Sequence, residues 1–562
     1  MQAFQLADYR QPLDGQGDHV AAIRRFLNSA PPGKWTLNLP GGSCDLFPEA
    51  AVEAHFCVSN NDAGLKRAAF WLRGLQDICI DGQHSSLRVR GEPLAAASRI
   101  THHAFMTTFI LEDCTNVTIK DLSIDWASRH MAQAKVLASH GNSMEVEVVS
   151  DMRWWVWNGQ IYFEGEGFCK PLQRIIAVEA ATGAPVRGSG DNCGGDYEVV
   201  WHVEKLDERR IRITGPCKAI PQPGQWVILW LTGYDTGERL AHAIVISRCR
   251  DVILDNIRIH HAPAMAIVGQ LSENITLRHC QVTPPPNSGL LFSASADATH
   301  FVQCTGQLLL EDCLFENQLD DAANVHGYYC QIVRPLGAKA LRARLGHPQH
   351  KGIFPCEPGE TVEFIRAQDM VVRGTATVVA LQSLNSETFD IEFREDLPDH
   401  LNTGDCFENI TRQADLTIRS CVIRHNRARG ILFSTRGRVL VEKCQFATPG
   451  AAILIAGDAN GWFESGRVRD VTIRENTFTD CAHTPSWGRA AICIIPEIGE
   501  PLQPQAYYHA GIRIESNKFV DCSAPLVEAR SVSRLKFSRN EIGSLKALAV
   551  VKTEHCERVT VE

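Results

Sequence analysis

Hydrophobic and polar residues alternate in short runs along most of this chain, and one short pattern of them keeps returning. Its order is a hydrophobic residue, two mostly polar residues, then Cys, Asn, Ile or Leu, one variable residue and a closing hydrophobic residue. Alternation with a period of two predicts a β-strand, and its interruption inside the pattern predicts a bend between two strands. The pattern occurs nine times, as IKDLSI (119–124), LDNIRI (254–259), LRHCQV (277–282), LEDCLF (310–315), IRSCVI (418–423), VEKCQF (441–446), IRENTF (473–478), IESNKF (514–519) and FSRNEI (537–542).

The segment ENITLRHCQV shows how the side chains are expected to point. Ile275 and Leu277 should face inward, and after a bend Cys280 and Val282 should face inward again. The fourth position of the pattern recurs at 257 and 280, at 421 and 444, and at 517 and 540, each pair 23 residues apart. This repeat predicts an all-β fold, a right-handed parallel β-helix of the pectin-lyase-like solenoid type. A leucine-rich horseshoe is the rival architecture, but no helical period follows the strands.

Two stretches lack the coil pattern and still show alternating strands. AKVLASHGNSMEVEVV lies in the first and GTATVVALQSLNSETFDIEF in the second. They predict two small β-barrel-like domains, inserted where the loops of a solenoid tolerate additions. The predicted divisions are 1–134 (N-terminal part of the β-helix), 135–238 (first insert), 239–327 (central coils), 328–412 (second insert) and 413–562 (C-terminal part of the β-helix).

Three tryptophans of the first insert, Trp154, Trp155 and Trp157, admit two interpretations. They could stack on a sugar, or they could pack within the insert or against a neighbouring surface. Packing is favoured because tryptophan so often fills protein cores.

Composition and charge narrow the partners. The chain has 562 residues, 44% hydrophobic and 22% charged, which is typical of a folded protein with a large core. Its net charge of -9 disfavours nucleic acid, because phosphate binding depends on clustered Lys and Arg. We find no run of about 18 apolar residues, so no membrane span is expected. The first twenty residues lack the basic and apolar regions of a signal peptide. We therefore expect a cytoplasmic protein, or a periplasmic or secreted one whose signal has been removed.

The twenty cysteines do not form metal or redox motifs, because no two of them are spaced as CxxC. Many lie inside the strand pattern, where a free cysteine behaves as a small buried hydrophobic residue. We expect reduced, stacked thiols rather than disulfides, which favours a reducing compartment.

Asp297 and the pair Asp320–Asp321 are the main candidate for chemistry. Asp297 and Asp320 are 23 residues apart, and allowing for a longer loop in TPPPNSGLLF, we expect them at the same place on consecutive coils. The same place on the next coil falls between Arg427 and Arg429. A lone Asp in a solenoid is usually a turn residue, but stacked acids destabilise a fold and should raise at least one pKa. Because glycoside hydrolysis needs a carboxyl that keeps its proton, all three are predicted to be catalytic.

Two histidines lie close to these acids in the sequence. His326, five residues after Asp321, is expected to orient a carboxylate or bind a sugar hydroxyl, and His300 is the second candidate. The acids and His326 could instead bind a cation such as calcium, which prefers several nearby oxygens. The acid–base interpretation is favoured, and we expect neither a metal nor another cofactor.

Longer strings of the chain resemble a known family. They are HAPAMAIVGQLSENITL (261–277), ADATHF (296–301), LFENQLDDAANVHG (314–327), GILFSTRG (430–437) and GDANGWFESG (457–466). The chain resembles glycoside hydrolase family 110, the exo-acting α-1,3-galactosidases, and more distantly the polygalacturonases of glycoside hydrolase family 28. The resemblance covers most of the chain and implies an inverting hydrolase that removes terminal α-1,3-linked galactose from an oligosaccharide or polysaccharide, whether of the blood group B type, linear or an algal galactan.

The resemblance also implies roles for individual residues. Asp320 would be the general acid, and Asp297 with Asp321 would position and deprotonate water. Arg427 and Arg429 would offer planar donors to sugar hydroxyls. Trp462 would stack on the sugar ring, and Glu464 would accept hydrogen bonds from its hydroxyls. The predicted substrate-binding residues are His300, Asn324, His326, Arg427, Arg429, Trp462 and Glu464.

Two other functions stay open at this point. The scaffold could carry a uronide hydrolase or a calcium-dependent lyase, or it could be a glycan-binding β-helix without catalytic activity. A long β-helix with projecting inserts also offers a broad surface on which a homodimer could form.

Overall fold

The computed structural model describes residues 2–11, 18–91, 105–195, 200–231, 239, 241–498, 506–543 and 550–562. Its main body is a parallel β-helix in which each coil contributes one strand to each of three faces. The first face precedes the bend of the repeated pattern, the second face follows the bend, and the third face closes the coil. The predicted fold class is therefore confirmed.

Strand register confirms the 23-residue period. Ile259 pairs with Val282 on the second face, and Val422 pairs there with Gln445. The bends between the first and second faces are formed by residues such as His279, whose φ of 51° is left-handed. Such a conformation costs about 1 kcal/mol in a residue other than glycine, so it is held by the stacked coils on either side.

The interior of the coils is a set of side-chain ladders. The thiols of Cys280, Cys313, Cys421 and Cys444 contact one another in sequence. The amide of Asn517 continues the row by donating to Asn540 Oδ1 at 3.0 Å. All twenty cysteines, each of which is among the described residues, are free, as the sequence predicted. Each ladder position therefore holds a small side chain that bonds along the helix axis.

A short amphipathic helix, Val20–Ser29, covers the N-terminal end of the β-helix. Its residue Phe26 is fully buried and packs edge-on against Trp35 at 4.9 Å between ring centroids. This cap shields hydrophobic side chains that the first coil would otherwise expose. Short 3-10 turns lie at Leu6–Tyr9, Pro48–Ala50, Asp191–Gly194, Pro348–His350 and Pro485–Trp487.

The first and second faces form one continuous parallel sheet, since three long strands run through both. Those strands are Gln76–Val89, Thr115–Trp126 and Arg250–Ile259. The other first-face strands are Gln2–Gln5, Trp35–Asn38, Glu273–Arg278, Thr305–Glu311, Ala414–Arg419, Arg438–Glu442, Asp470–Arg474, His509–Glu515, Val532–Ser538 and Glu557–Val561, and those of the second face are Ser43–Leu46, Gln281–Val282, Leu314–Glu316, Val422–Arg424, Gln445–Ala447, Thr477–Thr479 and Lys518–Val520.

The third face carries the loops that matter for function. Its strands in the central coils, such as Ile244–Ser247 and Ile267–Gln270, are short and buried, and Ala323–Pro335 extends beyond the coil. The short strand Glu464–Ser465 pairs against that extension. The strands are Val52–Val58, Asp62–Arg73, Met106–Glu112, Ile244–Ser247, Ile267–Gln270, Thr299–Val302, Ala323–Pro335, Ile431–Phe433, Ile453–Ile455, Ile492–Ile494, Val527–Arg530 and Val551–Glu554.

The first insert follows strand Thr115–Trp126. A six-stranded antiparallel sheet forms its body, and a three-stranded sheet lies beside it. The smaller sheet contains the tryptophan segment, in which Trp157 is 67% exposed and Trp155 stacks on Tyr162. The strands are Met131–His140, Ser143–Val149, Arg153–Trp157, Gln160–Gly165, Phe168–Pro171, Arg174–Val178, His202–Lys205, Arg210–Thr214 and Trp226–Trp230.

The second insert is a closed barrel of six antiparallel strands. Strand Ala323–Pro335 belongs to both structures, because its first residues lie on the third face and its last residues form the barrel. The remaining barrel strands are Ala340–Leu345, Thr361–Ile365, Val372–Ser383, Thr388–Phe393 and Cys406–Asn409.

The residue limits given for the five predicted divisions stay a prediction, and residue 238 lies outside the described residues. Among the residues that the structure describes, no helix is long and apolar enough to cross a membrane.

Candidate active site

The three acids lie in turns that lead from the second face to the third. Thr299 pairs with Ala323 on the third face, so Asp297, two residues before Thr299, is aligned with Asp321. The Ala298 N–H donates to the carbonyl of Asp321 at 3.0 Å, which joins the two turns directly. The expected alignment of Asp297 with Asp320 was therefore wrong by one residue. Thr299 lies 19 residues after Cys280 and Ala323 lies ten after Cys313, so the longer loop adds nine residues, one fewer than the repeat suggested.

The alignment continues onto the next coil. Ala323 pairs with Ile431, which places Arg429 beside Asp321 and Ala428 beside Asp320. Because Asp320 and Asp321 lie in a bend outside the strands, both carboxylates reach the same space. One oxygen from each of the three acids lies within 4.8 Å of the others.

Asp297 is held by a pair of histidines. His300 Nδ1 lies 2.6 Å from Asp297 Oδ2, and His300 Nε2 lies 3.0 Å from His326 Nε2. Burial opposes ionisation of Asp297, but the bond from His300 and nearby cations outweigh it and lower the pKa of this carboxyl. Asp297 is therefore an ionised carboxylate at neutral pH.

His326 does not reach the substrate space. Its side chain is buried behind His300, and its Nδ1 donates to the Gly327 carbonyl at 2.8 Å. Burial, with His300 beside it, lowers the pKa of His326 to about 3. In this position His326 does not contact a sugar hydroxyl directly. It contacts His300, which in turn binds the carboxylate of Asp297.

Asp321 is bound at both oxygens by Arg429. Its Oδ1 accepts from the Arg429 backbone N–H at 2.9 Å and from Nε at 3.0 Å, and Oδ2 lies 2.9 Å from the guanidinium. Burial and the two other acids raise the pKa of Asp321 to about 7 against the opposing effect of Arg429. Because Arg429 donors face both oxygens, these bonds favour the carboxylate and make Asp321 a less suitable proton donor than an acid without such bonds.

Asp320 differs from its neighbours because its contacts to cations are longer. Within the described residues, its carboxylate lies 3.4 Å from Arg239 and 3.5 Å from Arg427. Burial and the charge of Asp297 raise the pKa of Asp320, while Arg427 and Arg239 oppose the shift. Of the three acids, Asp320 is the one best able to hold and release a proton.

Arg427 connects the acids to the first insert. Its Nε donates to Asp191 at 2.7 Å, and a second bond joins the same two groups. The guanidinium lies between two rings, 4.6 Å from the centroid of Trp487 and 5.4 Å from that of Trp230. Arg427 is thus a rigid wall of the site with its charge balanced by Asp191.

Glu464 forms another part of the wall. Asn324 Nδ2 donates to Glu464 Oε1 at 3.3 Å, and Asn60 Nδ2 donates to the same oxygen at 3.3 Å. Burial raises the pKa of Glu464. Within the described residues, the buried Oδ1 of Asn324 has no partner, so it is available to accept from a hydroxyl.

Trp462 projects from a loop that Asp458 organises. The Asp458 carboxylate accepts from the backbone N–H groups of Asn460, Gly461 and Trp462. The indole stacks on His347 of the second insert, with 4.4 Å between centroids and 28° between planes, and remains 36% exposed. One ring of the site is therefore supported by the second insert.

These groups surround a cavity of about 680 Å³, a volume within the range of about 300–1,000 Å³ usual for organic ligands. Of the predicted site residues, all except His326 line it. The cavity also has walls that the sequence did not indicate: Asn60, Arg174, Trp230, Arg239, Asp458, Trp487 and Glu497. Of these residues, only Asp458 lies in one of the sequence strings that carry the family resemblance.

The arrangement suits acid–base chemistry on a neutral, hydroxyl-rich ligand. It offers one carboxyl whose pKa is raised by burial and by Asp297, two carboxyl groups held by His300 and Arg429, and aromatic rings beside arginine donors. The three acid oxygens are also close enough to share a cation, but Arg429 already supplies positive charge there.

Comparison with known proteins gives matches over most of the chain. Residues 132–227 match the family described as GLAA-B β-barrel domain I, residues 340–407 match GLAA-B β-barrel domain II, and residues 407–562 match the right-handed β-helix region. The chain is 31% identical to α-1,3-galactosidase B of Bacteroides thetaiotaomicron, over 96% of this chain and 85% of that protein. It is 30% identical to α-1,3-galactosidase A of Bacteroides fragilis, over 91% and 82%. Among solved structures, the family 28 exopolygalacturonase of Yersinia enterocolitica is similar with a TM-score of 0.38 and 10% identity, over 100% of this chain and 78% of that one.

Proposed function

The chain belongs to the family of bacterial α-1,3-galactosidases, and from this premise we propose that it is an exo-acting glycoside hydrolase that removes terminal α-1,3-linked galactose with inversion of configuration. The observation that carries the proposal is the different partnering of the three acids. Asp297 contacts His300 at 2.6 Å and Asp321 contacts Arg429 at 2.9 Å, whereas the shortest contact of Asp320 to a guanidinium is the one to Arg239 at 3.4 Å.

The roles follow from these partners. Asp320 donates its proton to the glycosidic oxygen as the bond from that oxygen to C1 of galactose breaks. A water held by Asp297 and Asp321 forms the new bond to C1, and its proton passes to one of these carboxylates. The charges balance, because one carboxyl loses a proton and one gains it.

Inversion is supported by the partners of the carboxylates rather than by their spacing. The closest oxygens of the three acids lie within 4.8 Å of one another. This is shorter than the separation of roughly 6.5–9.5 Å that is usual between the two carboxyl groups of inverting enzymes. However, a covalent route needs a carboxylate free to attack C1, and both ionised acids have oxygens bound to His300 or Arg429. Two such carboxylates are better suited to hold a water between them.

Recognition of a sugar is supported by the residues that line the cavity. The first insert contributes Arg174 and Trp230, and the loop that Asp458 organises contributes Trp462. The apolar face of galactose can stack on Trp462, while Arg429 and the free Oδ1 of Asn324 bind hydroxyls.

The test is release of galactose from linear and branched α-1,3-linked galactosides, with proton NMR of the anomer formed first. We expect β-galactose as the first product from the α-linkage. Release of α-galactose first would refute inversion while leaving the hydrolase intact, and no galactose release from any member of the panel would refute the function.

The same assays separate the alternative enzymes. A calcium-dependent lyase would lose activity with chelator and give an unsaturated product that absorbs ultraviolet light. A uronide hydrolase would act on oligogalacturonides, and a binding protein would retain the sugar without turnover.

A further inference from the structure

Asp297, His300 and His326 form three hydrogen bonds in series that end at the backbone. Asp297 Oδ2 is 2.6 Å from His300 Nδ1, and His300 Nε2 is 3.0 Å from His326 Nε2. His326 Nδ1 is 2.8 Å from the Gly327 carbonyl. The side chains of both histidines are 3% exposed or less, so water cannot replace these partners.

The number of protons in this series is fixed by its ends. A carbonyl oxygen can only accept, so His326 Nδ1 must carry a proton. Each of the other two bonds also needs one proton between its two heavy atoms. An ionised Asp297 and two fully deprotonated rings would total three negative charges, and three protons bring the series to a net charge of zero.

This net charge of zero differs from the net charge that the three groups would have if each were in its usual protonation state near neutral pH. Asp297 ionised beside two neutral imidazoles would have a charge of minus one and only two protons for three bonds. The third proton makes one imidazole a cation whenever Asp297 is ionised. Burial lowers the pKa of His326 to about 3, which places this charge on His300, next to the carboxylate.

Charged and titratable groups surround the series on every side. Glu464 Oε1 lies 3.4 Å from His326 Nε2, and His242 of an earlier coil and His350 of the second insert also face the two rings. Arg239 and Arg429 act on Asp297 together with Asp320 and Asp321. The cations near the acids are arginines that stay charged throughout the working pH range, so the histidine pair is the adjustable positive charge.

We propose that His326 is a positioning residue that keeps His300 doubly protonated, so that Asp297 remains an ionised carboxylate among three crowded acids. The proposal rests on the proposed function for its kinetic consequence, but the protonation of the rings does not depend on any substrate. Without an acceptor at His326, His300 keeps only the Nδ1 proton, and its charge is lost.

NMR of histidine-labelled protein tests the protonation directly. The signals of His300 and His326 are identified by their loss in His300→Gln and His326→Gln. In the unaltered protein at pH 8, we expect His300 to have protons on both ring nitrogens and His326 on Nδ1 alone. Two singly protonated rings at pH 8 would overturn the proposal, whatever the enzyme hydrolyses.

Kinetics with two substitutions at one position test the consequence. In His326→Leu the acceptor is absent, so the acid limb of kcat/KM should move to higher pH by about one unit, because the crowded carboxylates lose a neighbouring cation. His326→Gln keeps an oxygen that accepts from His300, so its acid limb should stay within about 0.3 units of the original. An equal loss of activity at every pH in both variants would show a merely structural role and overturn the proposal.

His350 provides the matched control. It is fully buried, packs on Tyr328 at 4.1 Å, and has no hydrogen bond from either ring nitrogen within the described residues. His350→Leu removes a histidine that faces the same rings but forms no hydrogen bond with the series, so the acid limb should not move. A shift equal to that of His326→Leu would assign the effect to packing.

Discussion

Asp191 of the first insert and Arg427 of the β-helix form a two-point ion pair in which Arg427 Nε donates to Asp191 Oδ1 at 2.7 Å. Their side chains are 13% and 5% exposed, so the pair is largely shielded from water. The same guanidinium lies 3.5 Å from Asp320. Asp191 of the first insert thus balances the charge of Arg427, which lies next to Asp320, the proposed general acid.

Asp191→Asn should therefore change both stability and pH dependence. Breaking a buried pair leaves an uncompensated charge, at a cost of about 3 kcal/mol, so thermal unfolding should occur at a lower temperature. The freed charge of Arg427 should also lower the pKa of Asp320 and move the alkaline limb of kcat/KM to lower pH. Asp207→Asn is the control, because Asp207 pairs with Arg210 at an exposed turn of the same insert; a change there as large as that of Asp191→Asn would contradict this explanation.

Asp320→Asn should remove the proton donor without removing the cavity. We expect kcat to fall by about 10³-fold for natural galactosides, with a much smaller loss for an aryl galactoside whose leaving group needs no proton. Asp312→Asn is the matched control, since Asp312 lies at an exposed bend of the same coil. Equal losses with both substrates would mean that Asp320 is not the acid.

The pH profile of kcat/KM should be a bell. Activity requires both Asp297 and Asp321 to be ionised; the pKa of Asp297 is lowered, but burial and the neighbouring acids raise the pKa of Asp321 to about 7, so activity should be lost as pH falls through that value. Activity also requires Asp320 protonated, and because its pKa is raised, activity should be lost as pH rises through that higher value. With an aryl galactoside, Asp320→Asn should lose the alkaline limb only, and a persistent alkaline limb would assign it to another group.

Trp462→Ala should weaken binding more than catalysis. Loss of stacking on the sugar removes about 0.5–1.5 kcal/mol, so KM should rise by about 2- to 13-fold with kcat little changed. His347→Ala should act in the same direction more weakly, because His347 supports one face of the indole. Trp157→Ala removes a tryptophan that is 67% exposed on the first insert, and it should leave KM unchanged. An unchanged KM in Trp462→Ala would remove the ring from the sugar site.

The repeated coil could be predicted because each inner position is constrained by its neighbours above and below. Cys280, Cys313 and Cys421 occupy one ladder, and the same spacing brought Asp297 and Asp321 to adjacent turns. The error of one residue at Asp320 arose because loop length between ladder positions is not set by the repeat. A hydrophobic ladder fixes where a coil begins and ends, but not how many residues its outer turn holds.

The walls of the cavity could not be predicted in the same way. Asp191, Trp230 and His347 reach the site because the inserts pack over the third face, through contacts between residues far apart in the sequence. No period relates an insert to the coil beneath it. His326 lies 3.4 Å from Glu464, and its expected role in orienting a carboxylate stays a prediction. The sequence could not tell that His300, and not His326, would line the cavity.

The strand order has a consequence for synthesis on the ribosome. By the time Asp321 is made, all three acids exist, but Arg429, which pairs with it, lies 108 residues further on. Until that later turn winds into place, Asp321 lacks the guanidinium that binds both of its oxygens, and its repulsion from Asp297 and Asp320 is opposed only by groups made earlier, such as Arg239. A fragment that ends just after the second insert would contain the three acids without Arg427 and Arg429, and the repulsion among the acids should disfavour closure of the turns that carry them.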